Sequence, residues 1–231
     1  MKSKKIVVLT GAGISAESGL KTFRDAGGLW EGHDVMEVAS VEGWRRNPAL
    51  VLDFYNQRRK QAMSAQPNAG HLALAQLEKE FDVTVVTQNI DTLHEQAGST
   101  RVIHLHGNLF QSKSSVDDNL IYDIGEKEIN VGDKCEKGSQ LRPNIVWFGE
   151  MVPMMEVAAG IAAESDIFMV VGTSLAVYPA ASLIDFVNPE TPKYIIDPKI
   201  PEFYGTNFYS FEEVASTGVK KAIQHLRDNL I

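Results

Sequence analysis

Cysteine is nearly absent: Cys135 is the only one in 231 residues. An internal disulfide is therefore excluded, and the usage fits a reducing, cytoplasmic setting. Long apolar runs are missing too. No stretch approaches the ~20 residues of a membrane-spanning helix. Lys2, Lys4 and Lys5 make the start basic, but the apolar run behind them is too short for a signal-sequence core and continues into Gly11. Basic charge is in deficit, 22 Lys and Arg against 30 Asp and Glu, for a net −8. That balance argues against a general nucleic-acid or anionic-membrane binder, so neither partner is expected. Internal repeats and low-complexity tracts are lacking as well. What is present, with 44% apolar residues, suffices for one α/β domain carrying a small module. A monomer is expected.

Ile6 to Leu9 is an apolar, β-branched run of the kind buried on both faces of a sheet. It stops at Thr10, and Gly11-Ala12-Gly13 leads into Ile14-Ser15-Ala16, small residues that can open a helix. Glycines there let backbone N–H groups approach a ligand, and a strand feeding such a turn is the cradle for a dinucleotide pyrophosphate. A tight strand-to-helix turn with no ligand would read the same way. A plain dinucleotide dehydrogenase would follow with a second strand ending in a ribose-binding acid about 20 residues on. Leu20 to Trp30 holds no strand run, Gly27-Gly28 breaks any regular element, and Asp34 has the spacing without the strand. Phe23, Arg24 and Trp30 read instead as a loop that folds over a ligand, and hydride transfer is disfavoured.

Downstream, Asn47-Pro48 starts a helix on which Tyr55 and Arg58, three apart, are neighbours. A half-buried Tyr beside a snorkelling Arg is the plain alternative. Residues 69–80 read as a helix with Leu72, Leu74 and Leu77 inward, and 81–86 as a buried strand. That strand ends in Thr87-Gln88-Asn89-Ile90-Asp91, polar groups where open α/β sheets bind ligands. Capping of a helix from Thr92 would account for Asn89 and Asp91 equally. Residues 101–105 read as a short strand across which His104 and His106 alternate, so a metal pair is disfavoured; His104 reads as structural. Residues 108–142 are polar and charged, and 143–150 return to the sheet. A helix over 152–164, a strand over 166–171 ending in Gly172-Thr173-Ser174, a helix over 179–187, a strand over 194–196 ending in Asp197 and a last helix over about 211–230 complete the chain.

Gly11-Ala12-Gly13-Ile14-Ser15-Ala16-Glu17-Ser18-Gly19-Leu20 with Thr22-Phe23-Arg24 resembles the opening motif of the sirtuins, NAD-dependent protein-lysine deacylases. Thr87-Gln88-Asn89-Ile90-Asp91, His106-Gly107, Phe148-Gly149-Glu150 and Gly172-Thr173-Ser174 match further family motifs, in the family's order and over nearly the whole chain. The resemblance implies an α/β fold: a Rossmann-like parallel sheet with helices on both faces, from about 1–21, 66–107 and 144–231. A small module from insertions at about 22–65 and 108–143 would form with it the cleft for NAD and acyl-lysine.

It also implies the site. NAD, consumed as co-substrate, would contact Gly11, Ala12, Gly13, Ser15, Glu17, Phe23, Arg24, Trp30, Gln88, Asn89, Ile90, Asp91, Gly172, Thr173, Ser174, Asp197 and Ala215. Asp197 stands where the family usually has Asn. His106 would be the catalytic base, with Asn89 beside it in catalysis. The acyl oxygen would displace nicotinamide, giving deacylated lysine and O-acyl-ADP-ribose. Val146, Phe148 and Gly149 would pair with the substrate peptide, the Val146 carbonyl meeting the acyl-lysine amide. Tyr55-x-x-Arg58 with the small Ala39 is similar to the subgroup that prefers succinyl, malonyl or glutaryl groups, since guanidinium binds carboxylate bidentately. Many sirtuins hold zinc with two Cys-x-x-Cys pairs in the polar segment. Here Cys135 stands alone and no His lies between Gly107 and Met151, so zinc, which needs about four N or S ligands, is not expected. An NAD glycohydrolase or ADP-ribosyltransferase, or a silent NAD or ADP-ribose sensor, are the alternatives.

Overall fold

The computed structural model describes residues 3–21, 29–200 and 207–230. They divide into a larger unit, Met1–Gly19, Gln66–Leu105 and Val152–Ile231, and a smaller one, Leu20–Ala65 and His106–Met151. In chain order the elements are β1 (Lys5–Thr10), α1 (Gly13–Ala16), β2 (Leu29–Trp30), β3 (His33–Asp34), α2 (Val35–Val38), α3 (Val41–Arg46), α4 (Pro48–Ser64), α5 (Ala69–Leu77), β4 (Asp82–Thr87), α6 (Leu93–Ala97), β5 (Val102–His104), β6 (Gly107–Ser114), β7 (Ile121–Asp123), β8 (Leu141–Ile145), α7 (Met155–Ala163), β9 (Ile167–Val171), β10 (Lys193–Ile196), β11 (Phe208–Phe211) and α8 (Ala215–Leu230), with a 3₁₀ helix at Ala180–Phe186.

Consecutive residues of β1 point to opposite faces of one parallel sheet, and both faces are covered. Ile6 and Val8 pack with Leu74 and Leu77 of α5 and Val219, Ala222 and Leu226 of α8. Val7 and Leu9 pack with Ala158 and Ala162 of α7 and Leu183 of the 3₁₀ helix. The spatial order is β11-β10-β9-β1-β4-β5, every pair parallel. Chain order therefore runs outward one way from β1 and then reverses to run outward the other way, which places the switch point between β1 and β9.

Leu72 is exposed, not inward; two residues from Leu74 it lies about 200° around the helix. His71, three residues before Leu74, takes the inward place and is fully buried. The expected terminal helix begins at Ala215, because Phe208–Phe211 adds a sixth strand beside β10. The expected helix over 179–187 is a 3₁₀ turn.

In the smaller unit, α4 is capped by the Asn47 side chain, which accepts from the Leu50 N–H at 3.1 Å, with Pro48 in its first turn. The polar segment 108–142 supplies most of a three-stranded antiparallel sheet, β7-β6-β8. Asn144 and Ile145 lie in β8 of this sheet and the chain stays in the smaller unit through Met151, where the sequence reading joined residues from 144 on to the parallel sheet. Gly107 pairs with Ile145, and β8 runs antiparallel to β6. No helix among the described residues is long and apolar enough to cross a membrane.

Two side chains of α4 hold the polar segment in place. Asn56 donates from Nδ2 to the Ile129 carbonyl at 3.0 Å and accepts the Ile129 N–H at 3.0 Å, standing in for a strand partner. Arg59, 1% exposed, donates to the carbonyls of Leu109 (2.8 Å) and Lys127 (3.2 Å) and to Asn56 Oδ1 (2.8 Å). Burial draws its pKa down to about 10, against the pull of Glu128. Cys135 Sγ lies 3.4 Å from Ser114 Oγ and 3.2 Å from Ser139 Oγ. Those hydroxyls draw the thiol down to about 7. Among the described residues no cluster of three or more His, Cys, Asp or Glu is placed to hold a metal ion.

Candidate active site

At the switch point of the larger unit the loops after β1 and β9 touch through backbone alone. The Gly11 N–H donates to the Val171 carbonyl at 3.0 Å and the Gly13 N–H to the Gly172 carbonyl at 2.8 Å. A Cβ on Gly11 would lie 2.6 Å from Thr173 Cβ, and one on Gly13 2.7 Å from Gly172 Cα. Gly172 itself has φ +64° and no room for a Cβ beside Ile14. Two of the cradle's N–H groups, read from sequence as pointing at a ligand, are thus used by the chain, and the glycines serve the close approach of the two loops. The Ala12 N–H donates to nothing among the described residues.

The end of β4 ties onto the same loops. Gln88 Nε2 donates to Thr173 Oγ1 at 3.2 Å, and Asn89 Nδ2 to the Gly11 carbonyl and Ser15 Oγ, each at 3.1 Å. Ser15 Oγ donates to Asp91 Oδ2 at 3.0 Å, and the Leu93 N–H to Asp91 Oδ1 at 3.1 Å. Asp91 thus opens α6 and joins the polar chain at once. It is 8% exposed, and burial raises its pKa despite the two donors. Ile90 and Ser174 are half-buried beside them. A glycine-tight backbone crossing, an open N–H and a row of Gln, Asn, Ser and Thr at the carboxyl ends of parallel strands fit a dinucleotide.

Three residues expected on the cofactor have other work in this structure. The Glu17 carboxylate accepts from the Ser216 N–H (3.0 Å) and Oγ (2.6 Å), at the start of α8. Asp197, 3% exposed, accepts from the Lys199 N–H at 2.9 Å. Ala215 is buried as the first residue of α8. Phe23 and Arg24 lie outside the described residues.

His104, the last residue of β5, donates from Nδ1 to the Asn89 carbonyl (3.0 Å) and meets Glu95 through Nε2 (2.7 Å). Burial alone would lower its pKa; the Glu95 carboxylate and the Asn89 carbonyl outweigh burial, and the net shift is upward. Burial likewise opposes the Glu95 shift, and the His104 bond carries it downward. A raised imidazole contributes stability below its unfolded pKa of about 6.5 and loses it as pH rises through the folded value. The depressed Glu95 keeps its contribution above its own unfolded pKa of about 4.5. The stability difference between the parent and His104→Gln is therefore expected to be largest near pH 6 and to shrink by pH 8. Urea midpoints at both pH values check this; a difference independent of pH removes the ion pair as its source.

In the smaller unit His106 is half-buried, and β5 has ended two residues before it, so strand alternation with His104 does not set its direction. Its carbonyl accepts the Val146 N–H at 2.9 Å. Gly107 follows at φ +86°, where any Cβ would overlap the Asn144 carbonyl. Phe148 donates its N–H to the Ala39 carbonyl (2.9 Å), accepts from the Val41 N–H (3.3 Å), and keeps its ring exposed. Gly149 turns the chain at φ +91°. The Val146 carbonyl accepts no hydrogen bond from the described residues. This stretch is anchored by Arg142, whose guanidinium donates to both Glu150 oxygens at 2.6 and 3.1 Å and lies over the Trp147 ring.

Tyr55 is fully buried, its hydroxyl accepting from Trp147 Nε1 at 3.1 Å, and burial raises its pKa. Arg58, 7% exposed, donates from Nη1 to Glu31 Oε1 (2.9 Å) and Gln61 Oε1 (3.0 Å). Trp30 packs edge-on against Phe54 and Tyr55 and carries the Arg58 guanidinium 5.2 Å from its ring centre. Ala39 is buried at the end of α2. Glu31, Asn56, Arg59 and Arg142 were not singled out by sequence. Asn56 and Arg59 share the three-residue spacing of Tyr55 and Arg58 and were as legible as a pair; nothing in the sequence pointed to Glu31.

The Sir2 family model matches residues 11–179. An NAD-dependent protein deacylase of Bacteroides thetaiotaomicron is 51% identical over 229 residues, covering 96% of this chain and 98% of its own. One from Helicobacter pylori strain J99 is 57% identical over 196 residues, 85% of this chain and 83% of its own. The crystal structure of a Sir2 homologue–NAD complex superposes with a TM-score of 0.87 at 37% identity, covering 99% of this chain and 91% of that one. A Sir2 structure with a deacetylated p53 peptide and 3′-O-acetyl ADP ribose gives 0.80 at 28% identity, over 96% and 94%.

Proposed function

The chain belongs to the Sir2 family of NAD-dependent protein deacylases, and we propose that it removes acyl groups ending in a carboxylate, succinyl and malonyl, in preference to acetyl. The observation that carries this preference is that Arg58, next to Tyr55 on α4, already binds a carboxylate in a nearly closed environment. A charge-assisted N–H···O bond there is roughly twice as strong as a neutral one.

Bound NAD supplies a glycosidic carbon with nicotinamide as its leaving group. The larger unit's residues receive it: the loops of Gly11–Gly13 and Gly172–Ser174 take the phosphates and adenosine, and Gln88, Asn89 and Asp91 the nicotinamide ribose and carboxamide. In the smaller unit the Val146 carbonyl accepts the acyl-lysine amide N–H, which orients the acyl oxygen. Phe148 and Gly149 extend the backbone along which the peptide adds as a strand. The His106 imidazole takes a proton from a ribose hydroxyl, work a histidine does near neutral pH.

The test is a panel of acetyl-, malonyl-, succinyl- and glutaryl-lysine peptides with NAD. Arg58→Met is expected to lose about 100-fold in kcat/KM for succinyl-lysine, the worth of a charge-assisted pair at about 2–3 kcal/mol, and less than fivefold for acetyl-lysine. Equal losses for both groups would remove Arg58 as the carboxylate reader.

A further inference from the structure

We propose that Glu31 is a built-in competitor for the acyl carboxylate, occupying Arg58 in the resting enzyme and setting how strongly an acidic acyl group must bind to displace it. The inference rests on the reading of Arg58 given above and names a residue that the reading does not contain.

Two independent observations carry it. The first is the contact. Glu31 Oε1 takes the Arg58 Nη1 proton at 2.9 Å, with the two side chains only 17% and 8% exposed, while Glu31 Oε2 reaches Lys21 Nζ at 3.2 Å. A carboxylate at the end of a methylene chain, held by a guanidinium beside a buried phenol, has the chemistry of the terminal carboxylate of succinyl- or malonyl-lysine. Both carboxylates would draw on the one Arg58 guanidinium, and two negative charges beside a single cation repel each other, so each weakens the hold of the other.

The second is the backbone. Trp30 and His33 pair across β2 and β3, leaving Glu31-Gly32 as a two-residue hairpin loop. Glu31 has φ +50° and Gly32 φ +83°. A loop with both central residues at positive φ favours Asn, Asp or Gly at its first position. Glutamate gains nothing from the turn, and left-handed backbone at such a residue is disfavoured. What the site gains from glutamate is reach: its extra methylene carries the carboxylate from the loop to the α4 guanidinium. The turn itself, a hinge of two residues, is a device that can carry that carboxylate away without disturbing α4.

A neutral acyl group needs no such displacement, so the competitor acts on acidic acyl groups alone. Glu31→Gln keeps the side chain's volume, its backbone cost and a hydrogen-bond acceptor, and removes only the charge. It is expected to lower KM for succinyl-lysine about five- to tenfold, with KM for acetyl-lysine within twofold of the parent. The measurement is steady-state KM for both peptides on the parent, Glu31→Gln and Arg58→Met. An unchanged or raised succinyl-lysine KM in Glu31→Gln, with Arg58→Met still losing succinyl-lysine selectively, overturns the competitor and leaves the Arg58 reading standing. An Arg58→Met enzyme that loses neither group selectively overturns both.

Discussion

Replacing His106 by alanine is expected to lower kcat by about 10²- to 10⁴-fold, the usual worth of a positioned general base, while NAD binding measured by calorimetry stays within threefold of the parent. The two readouts separate because the groups assigned to NAD binding are those of the switch-point loops and the end of β4, whereas His106 is assigned the proton transfer. The backbone at His106 does not depend on its imidazole. The His106 carbonyl is held by the Val146 N–H, and the Gly107 turn is set by its approach to Asn144. Alanine therefore leaves the chain path intact and removes a proton acceptor. A His106→Ala enzyme turning over within threefold of the parent would end the assignment.

The second large effect is on stability. Arg59→Ala is expected to cost about 4 kcal/mol, from a cavity of the size left by a large buried side chain and from carbonyls left without donors. For a chain of this length that corresponds to a fall of about 10 °C in Tm. Arg59 is among the largest fully buried side chains, and among the described residues it alone joins α4 to both the Leu109 strand and the Lys127 loop. Relief of the buried charge offsets part of the loss. It does not restore the Leu109 and Lys127 acceptors, which no other side chain reaches among the described residues. Calorimetry of parent and variant checks this, and a loss below 1 kcal/mol would mean that the segment is held by something other than Arg59.

These two residues mark what could be read from the chain alone. His106 stands next to Gly107 within a motif whose order along the chain matches a family, so its assignment as the base comes from the sequence and owes nothing to the coordinates. Arg59 carries no signal in the sequence beyond standing next to Arg58, because its partners are backbone carbonyls 50 and 68 residues away, and carbonyls leave no mark on a sequence. Glu31 was hidden for the same reason of distance: its partner is 27 residues on, and a lone acid in a glycine-flanked loop reads as solvated. Leu72 and the sixth strand at Phe208–Phe211 were misread from local pattern, the first by counting apolar residues without their angle, the second because four residues are too few to show a period.

By itself the sequence determined the parallel sheet, through runs of β-branched residues that can only be buried on two faces, and the places where those runs end in glycine, asparagine, aspartate or threonine. It also determined the absence of a cysteine-built metal site. Tertiary structure alone decided what the glycines are for, which carboxylate sits on Arg58, and how α4 secures the polar segment. Periodicity and strand-end chemistry are properties of neighbours along the chain; a backbone contact at Gly172 or an ion pair at Glu31 exists only once distant segments have been brought within a few ångströms.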